Sequence, residues 1–289
     1  MYKLIAIDLD GTLLDSYGNT STENINAIKE AKEKGVDVVL ASGRPVMSVK
    51  SIASEIGVDS YIICGNGAIT YDLKKKEVIY NRFLEKDKVL KVIDICEENS
   101  IYYCIYTEDM IITKSLNYNV LFFNKENAKK DPSKRVKINI VQNVREYIEN
   151  SNNQKYLKFT ICDSNKIIFT SINKKLKQLK NIEVLEVSHI SRKMIKSGTD
   201  EVVLEYYYTE ITNENVDKWY AIEDLINKLN IKKEEVITIG DNYNDLKMLE
   251  NAGIGIVMQG AAEYIKEKAN YVTDSNDNSG VSKAIKKFV

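Results

Sequence analysis

The chain has 289 residues, 44% hydrophobic and 29% charged, a composition that supports a sizeable core and excludes a disordered chain. Its 41 Lys and Arg nearly cancel its 42 Asp and Glu, giving a formal net charge of −1. No global field therefore directs it to nucleic acid or a membrane surface. Because single cores stop growing at roughly 250 to 300 residues, two domains are expected. The opening MYKLIAIDLD brings charges in too early for the apolar stretch of a signal peptide. No later segment offers the roughly 18 uninterrupted apolar residues of a membrane span, so the expected location is cytoplasmic.

Lys3 to Ile7 is an apolar run too short for a helix and ends in Asp8-Leu9-Asp10-Gly11-Thr12, which predicts a buried strand followed by a loop. Thr20-Ser21-Thr22-Glu23 has the form of a capping box. Ile25, Ile28 and Ala31 then follow at helical spacing and Gly35 supplies a stop, which predicts a helix of about four turns. Val36 to Ala41 reads as a second strand ending in Ser42-Gly43-Arg44-Pro45. A helix over Ser48 to Ile56 and a strand over Tyr61 to Cys64 follow, and Asn66-Gly67-Ala68 reads as a plain Asn-Gly turn. This alternation predicts a parallel sheet with right-handed crossovers.

From Arg82 to Tyr208 the rhythm changes: strand-like runs at Tyr102 to Tyr106, Lys155 to Cys162 and Val202 to Tyr208 alternate with helical and polar stretches. The first rhythm then returns with a helix over Lys218 to Leu229 and a strand over Val236 to Ile239 that ends in Gly240-Asp241-Asn242-Tyr243-Asn244-Asp245. Short strands follow at Gly255 to Val257 and Tyr271 to Thr273. The expected fold is α/β: a Rossmann-like parallel-sheet core made of residues 1–81 and 209–289, with an inserted α/β domain over 82–208. The tyrosines at 102, 103, 106 and 206 to 208 are assigned to the insert's own core. Cys64, Cys96, Cys104 and Cys162 show no CxxC spacing and read as free buried thiols, and the lone His189 reads as structural.

In open α/β sheets, ligands bind beyond the carboxyl ends of the strands. Those ends here carry Asp8, Asp10, Ser42, Asp241 and Asp245. Clustered carboxylates repel one another unless a cation intervenes, and an oxygen-only ligand set suits Mg²⁺. A phosphate monoester would need a further positive group beside them, and Lys218 is the candidate. Ser42 and the backbone N–H groups around Gly43 can hydrogen-bond phosphate oxygens.

With these residues in order, the sequence resembles the haloacid dehalogenase superfamily, and within it the Cof-type phosphatases that carry a two-layer α/β (type IIB) cap. The resemblance covers nearly the whole chain. DxDGT is met by Asp8 through Thr12, Ser-Gly-Arg-Pro by Ser42 through Pro45, the motif lysine by Lys218, and GDxxND by Gly240 through Asp245. It implies that Asp8 is the nucleophile and forms an aspartyl-phosphate, and that Asp10 is the general acid and then base. Asp8, the Asp10 carbonyl and Asp241 would ligate Mg²⁺, and Asp245 would support the metal site from behind. Ser42, Gly43 and Lys218 would bind phosphate, and Asn244 would contact phosphate or substrate. Arg44 is open between the substrate and a structural carboxylate. Two positions depart from the family pattern: Trp219 stands where Gly is usual, and Gln259-Gly260-Ala261 stands where Asn-Ala is usual.

The implied activity is hydrolysis of small phosphate esters such as sugar phosphates, nucleotides or cofactor phosphates, by a monomer or weak homo-oligomer with no nucleic-acid or membrane partner. The alternatives are a phosphomutase of the same superfamily and a non-enzymatic phosphate-responsive module.

Overall fold

The computed structural model describes residues 2–185, 190–197 and 200–289; His189 lies outside the described residues. The chain divides into two compact units, 1–81 with 216–289, and 82–215.

Unit 1 opens with β1 (Leu4–Ile7), α1 (Thr22–Glu33), β2 (Asp37–Ala41), α2 (Val46–Ile56), β3 (Tyr61–Cys64), β4 (Ile69–Asp72) and β5 (Glu77–Asn81). Unit 2 holds α3 (Lys86–Glu98), β6 (Tyr102–Thr107), β7 (Met110–Thr113), α4 (Tyr118–Ala128), β8 (Lys137–Ile140), α5 (Val144–Asn150), β9 (Tyr156–Asp163), α6 (Lys166–Leu176), β10 (Ile182–Val184), β11 (Ile190–Ser197) and β12 (Asp200–Asn213). Unit 1 resumes with α7 (Lys218–Leu229), β13 (Val236–Gly240), α8 (Leu246–Asn251), β14 (Ile254–Val257), α9 (Glu263–Lys266), β15 (Tyr271–Val272) and α10 (Gly280–Phe288).

All four residues of β1 are buried, as a central strand covered on both faces requires. The sheet of unit 1 runs β15-β14-β13-β1-β2-β3-β4-β5. Its first six strands are parallel, with Leu4 opposite Val236 on one side and Asp37 on the other. The chain reverses direction across the sheet between β1 and β13, which is where a doubly wound sheet opens its ligand crevice. One face packs Leu4, Ala6, Val39, Ala41 and Ile63 against Trp219, Ile222 and Leu225 of α7 and Met248 of α8, so Trp219 is a core residue.

The pair β4 and β5 adds antiparallel strands that the sequence reading did not anticipate. β5 is half-buried to exposed along its length, and an edge strand without a buried face leaves a weak sequence pattern. The turn between them is set by Asp72 Oδ1, which accepts from the backbone N–H groups of Lys74 and Lys75 at 2.9 Å each. Helix α1 is capped by Ser21 rather than Thr20, and the backbone of Thr20 pairs with Leu14 in a bridge just before the helix. The residue three positions beyond the cap is Asn24, buried, donating to Leu13 O at 3.4 Å and accepting from Ser282 N at 2.8 Å. Helix α2 begins at Val46, earlier than expected, directly after Pro45.

In unit 2 the sheet runs β10-β12-β9-β6-β7-β8, with β11 also pairing with β12. One face, including Tyr103, Ile105, Phe159 and Ile161, buries a core with α3, α5 and α6. Tyr106 and Tyr206 are buried as well, and Tyr118 links Tyr102 and Tyr206 through ring contacts of 5.1 and 5.0 Å. The cysteines are free and buried, and Asn119 contacts the sulfurs of Cys104 and Cys162. Strand β12 runs on to Asn213, so the sequence-based edge at 208/209 falls inside it; no composition change marks that point.

Candidate active site

The site grows from the carboxyl ends of β1 and β13. Asp8 directly follows β1, and its N–H donates to Ile239 O at 2.9 Å, which locks the end of β1 to β13. The chain then turns tightly, with Leu14 N donating to Leu9 O at 2.9 Å. Gly11 has φ +85°, and a Cβ there would lie 2.4 Å from Asp241 Oδ2. The loop after β1 therefore passes directly over Asp241, and only glycine allows that approach. Thr12, fully buried, donates from Oγ1 to Asp241 Oδ1 at 2.7 Å.

On the β13 side, Asp245 folds back onto its own loop: Oδ2 accepts from the N–H groups of Asp241 and Asn242 at 3.0 Å each. Lys218 is the first residue of α7, behind the cap Asp217, and is wholly buried. Its Nζ donates to Asp8 Oδ1 at 2.5 Å and to Asp245 Oδ1 at 2.6 Å. A lysine buried to this degree is tolerated only when paired.

Asp8, Asp241 and Asp245 each present a carboxylate oxygen within 4.8 Å of the others. Three carboxylates face one ammonium, so the cluster is short of positive charge. Burial, and then the charge of Asp245, push the Asp8 carboxyl well above the usual range, against the pull of Lys218. Burial and Asp245 likewise raise Asp241 to about 7, with the Thr12 hydrogen bond opposing. Burial alone would lower Lys218, but Asp245 and Asp8 outweigh it and raise it, so it stays an ammonium. Hard oxygen donors with an unmet negative charge fit a divalent cation such as Mg²⁺. Both Asp245 oxygens already accept hydrogen bonds, so it holds the loop and the lysine from behind.

Asp10 stands apart from this cluster. Its carboxylate is 60% exposed and sits in the fork of Arg44, with Nε to Oδ2 at 2.8 Å and Nη2 to Oδ1 at 2.7 Å. In this structure Arg44 pairs with a carboxylate, and that carboxylate is the expected acid and base. Ser42 is buried at the end of β2, and its Oγ accepts from Arg44 N at 3.2 Å, which leaves the O–H to donate. Gly43 lies between them in the same loop. Asn244 does not join the carboxylates: its Nδ2 donates to Asn66 Oδ1 at 3.1 Å.

Two residues at the site were given no role by sequence reasoning. Thr12 was visible only as the last letter of a motif. Asn66 reads as a turn residue in sequence, and nothing local distinguishes a buried Asn from an exposed one in an Asn-Gly pair.

Residues 5–285 match the family described as haloacid dehalogenase-like hydrolase. The chain is 31% identical to phosphatase YwpJ of Bacillus subtilis, with 98% of this chain and 99% of the relative covered. It is 27% identical to the 5-amino-6-(5-phospho-D-ribitylamino)uracil phosphatase YcsE of the same organism, covering 99% and 96%. A solved structure of a haloacid dehalogenase-like hydrolase from B. subtilis superposes with a TM-score of 0.81 at 26% identity, covering 99% of this chain and 100% of that one.

Proposed function

The chain belongs to the haloacid dehalogenase-like hydrolases, and from that premise we propose that it is a Mg²⁺-dependent phosphomonoesterase of small phosphorylated metabolites with Asp8 as its nucleophile. The observation that carries this reading is the buried Asp8 carboxylate, fixed by Lys218 at 2.5 Å at the end of the central strand.

In the proposed reaction an Asp8 oxygen attacks phosphorus. The phosphorus–oxygen bond to the alcohol breaks, and an aspartyl-phosphate remains. Lys218 fixes the rotation of the Asp8 carboxylate and offsets charge on the incoming phosphoryl group. Asp10 gives its proton to the departing alkoxide, then takes one from the water that attacks the aspartyl-phosphate. Inorganic phosphate leaves and Asp8 is regenerated. Both Asp10 oxygens accept from Arg44, and each keeps a second lone pair through which a proton can be exchanged. A substrate phosphate offers Arg44 an alternative anion. Ser42 O–H and the N–H groups around Gly43 bind phosphoryl oxygens, and Asn244 contacts the same group. Mg²⁺, held by Asp8, the Asp10 carbonyl and Asp241 with Asp245 behind them, would screen the repulsion between phosphate and carboxylates.

Unit 2 is proposed to serve as the family's cap, and the substrate to fall among sugar phosphates, nucleotides and cofactor phosphates. YcsE, whose name specifies a phosphorylated ribitylaminouracil, lies within that class. The test is phosphate release across such a panel, with Mg²⁺ and with EDTA, for wild type, Asp8→Asn and Asp10→Asn. Mg²⁺-dependent turnover is expected in wild type, none in Asp8→Asn, and a rate at least ~10²-fold slower in Asp10→Asn. Full activity of Asp8→Asn would overturn the reading.

A further inference from the structure

The turn Gly65–Gly67 joins β3 to β4, and its three residues all have positive φ: Gly65 +60°, Asn66 +60° and Gly67 +100°. Two of the three positions are glycine, which takes such angles freely. The middle one keeps a side chain in the left-handed region, and that side chain is buried. A buried amide needs partners, and here one partner is functional: Asn66 Oδ1 accepts from Asn244 Nδ2 at 3.1 Å.

The backbone of the same turn is tied to the other site loops. Asn66 N donates to Ser42 O at 3.0 Å, and Gly65 N donates to Arg44 O at 3.1 Å. Gly67 lies so close to the start of α7 that a Cβ would meet Asp217 O at 2.0 Å. One three-residue turn thus touches the loop of Ser42 and Arg44, the residue before Lys218, and Asn244.

We propose that Asn66 is a positioning residue of this site: its side-chain carbonyl fixes the amide of Asn244, so that the remaining donor of that amide faces the phosphate-binding loops. An amide that rotates freely presents a donor or an acceptor to an anion with similar ease, and the acceptor repels phosphate. Holding one N–H of Asn244 on Asn66 removes that ambiguity. The consequence for turnover rests on the phosphatase reading, but the effect on anion binding does not.

The experiment is a double-mutant cycle of Asn66→Gly, Asn244→Ala and the double variant. Glycine accepts φ +60° without strain, so Asn66→Gly deletes the amide and keeps the turn; unchanged thermal unfolding, followed by Trp219 fluorescence, checks this. The readouts are kcat and KM for phosphate release, and the dissociation constant of inorganic phosphate by calorimetry with Mg²⁺ present. Asn66→Gly is expected to weaken phosphate binding and lower kcat by about 10-fold each, the usual scale for a residue that orients another. In the Asn244→Ala background it is expected to change neither, because coupled residues are non-additive. Equal losses in both backgrounds, or no loss in either, would overturn the proposal. Absence of turnover in wild type would refute the phosphatase reading instead, and the phosphate-binding arm would still decide the role of Asn66.

Discussion

Replacing Lys218 by Met keeps most of the side-chain volume but removes the ammonium that Asp8 and Asp245 share at 2.5 and 2.6 Å. Both carboxylates are buried, so water cannot take the place of Nζ. Removing one partner from a buried ion pair costs about 3 to 5 kcal/mol, and proton uptake by the orphaned carboxyls keeps the loss within that range rather than doubling it. With a urea m-value of about 2 kcal/mol/M, the midpoint should fall by roughly 2 M. Trp219 is the only tryptophan and is buried in the core of unit 1, so its fluorescence reports unfolding of that unit alone. In EDTA the full shift is expected. Saturating Mg²⁺ should recover part of it, because a divalent cation supplies the charge the lysine no longer provides. Phosphate release should fall by at least ~10²-fold. An unchanged urea midpoint in EDTA would refute the reasoning, since it would mean that the ammonium does not hold the two carboxylates.

Thr12→Val removes the hydroxyl that donates to Asp241 Oδ1 at 2.7 Å; Mg²⁺ affinity by calorimetry should drop about 10-fold, and an unchanged affinity would show that the contact does not orient Asp241. The metal-free protein should also lose stability as pH rises. Asp241 holds its proton up to about 7 in the folded chain but only to about 3.9 when unfolded, so between these values the folded state binds the extra proton and stability declines with pH. Melts of unit 1 in EDTA should therefore fall from pH 5 to pH 8, with the slope reduced by Mg²⁺. Flat EDTA melts over that range would contradict the assignment.

The parallel strands of unit 1 were legible in the sequence as segments, though not in their order across the sheet, because each buried strand is a short apolar run that ends in a polar loop. The same signal placed Asp8, Ser42 and Asp241 at strand ends. What stayed hidden depends on contacts between segments far apart in the chain. The fork between Arg44 and Asp10 cannot be told from an Arg aimed at substrate, and the contact of Asn66 with Asn244 joins an apparent turn to a distant loop. Ser21 rather than Thr20 caps α1, one residue later than the capping-box pattern places it. Strand β5 escaped notice because an exposed edge leaves neither a strict two-residue alternation nor an apolar run.

The pairing of Leu4 with Val236 also bears on how the chain is made. During synthesis β1 emerges before all of unit 2, while β13, which fills the place beside it, emerges only after unit 2. At about 5 to 20 residues per second, the nascent chain spends tens of seconds with the central strand of its first unit open along one edge. All of unit 2 is translated in that interval, so the later unit has its complete sequence before the earlier one does.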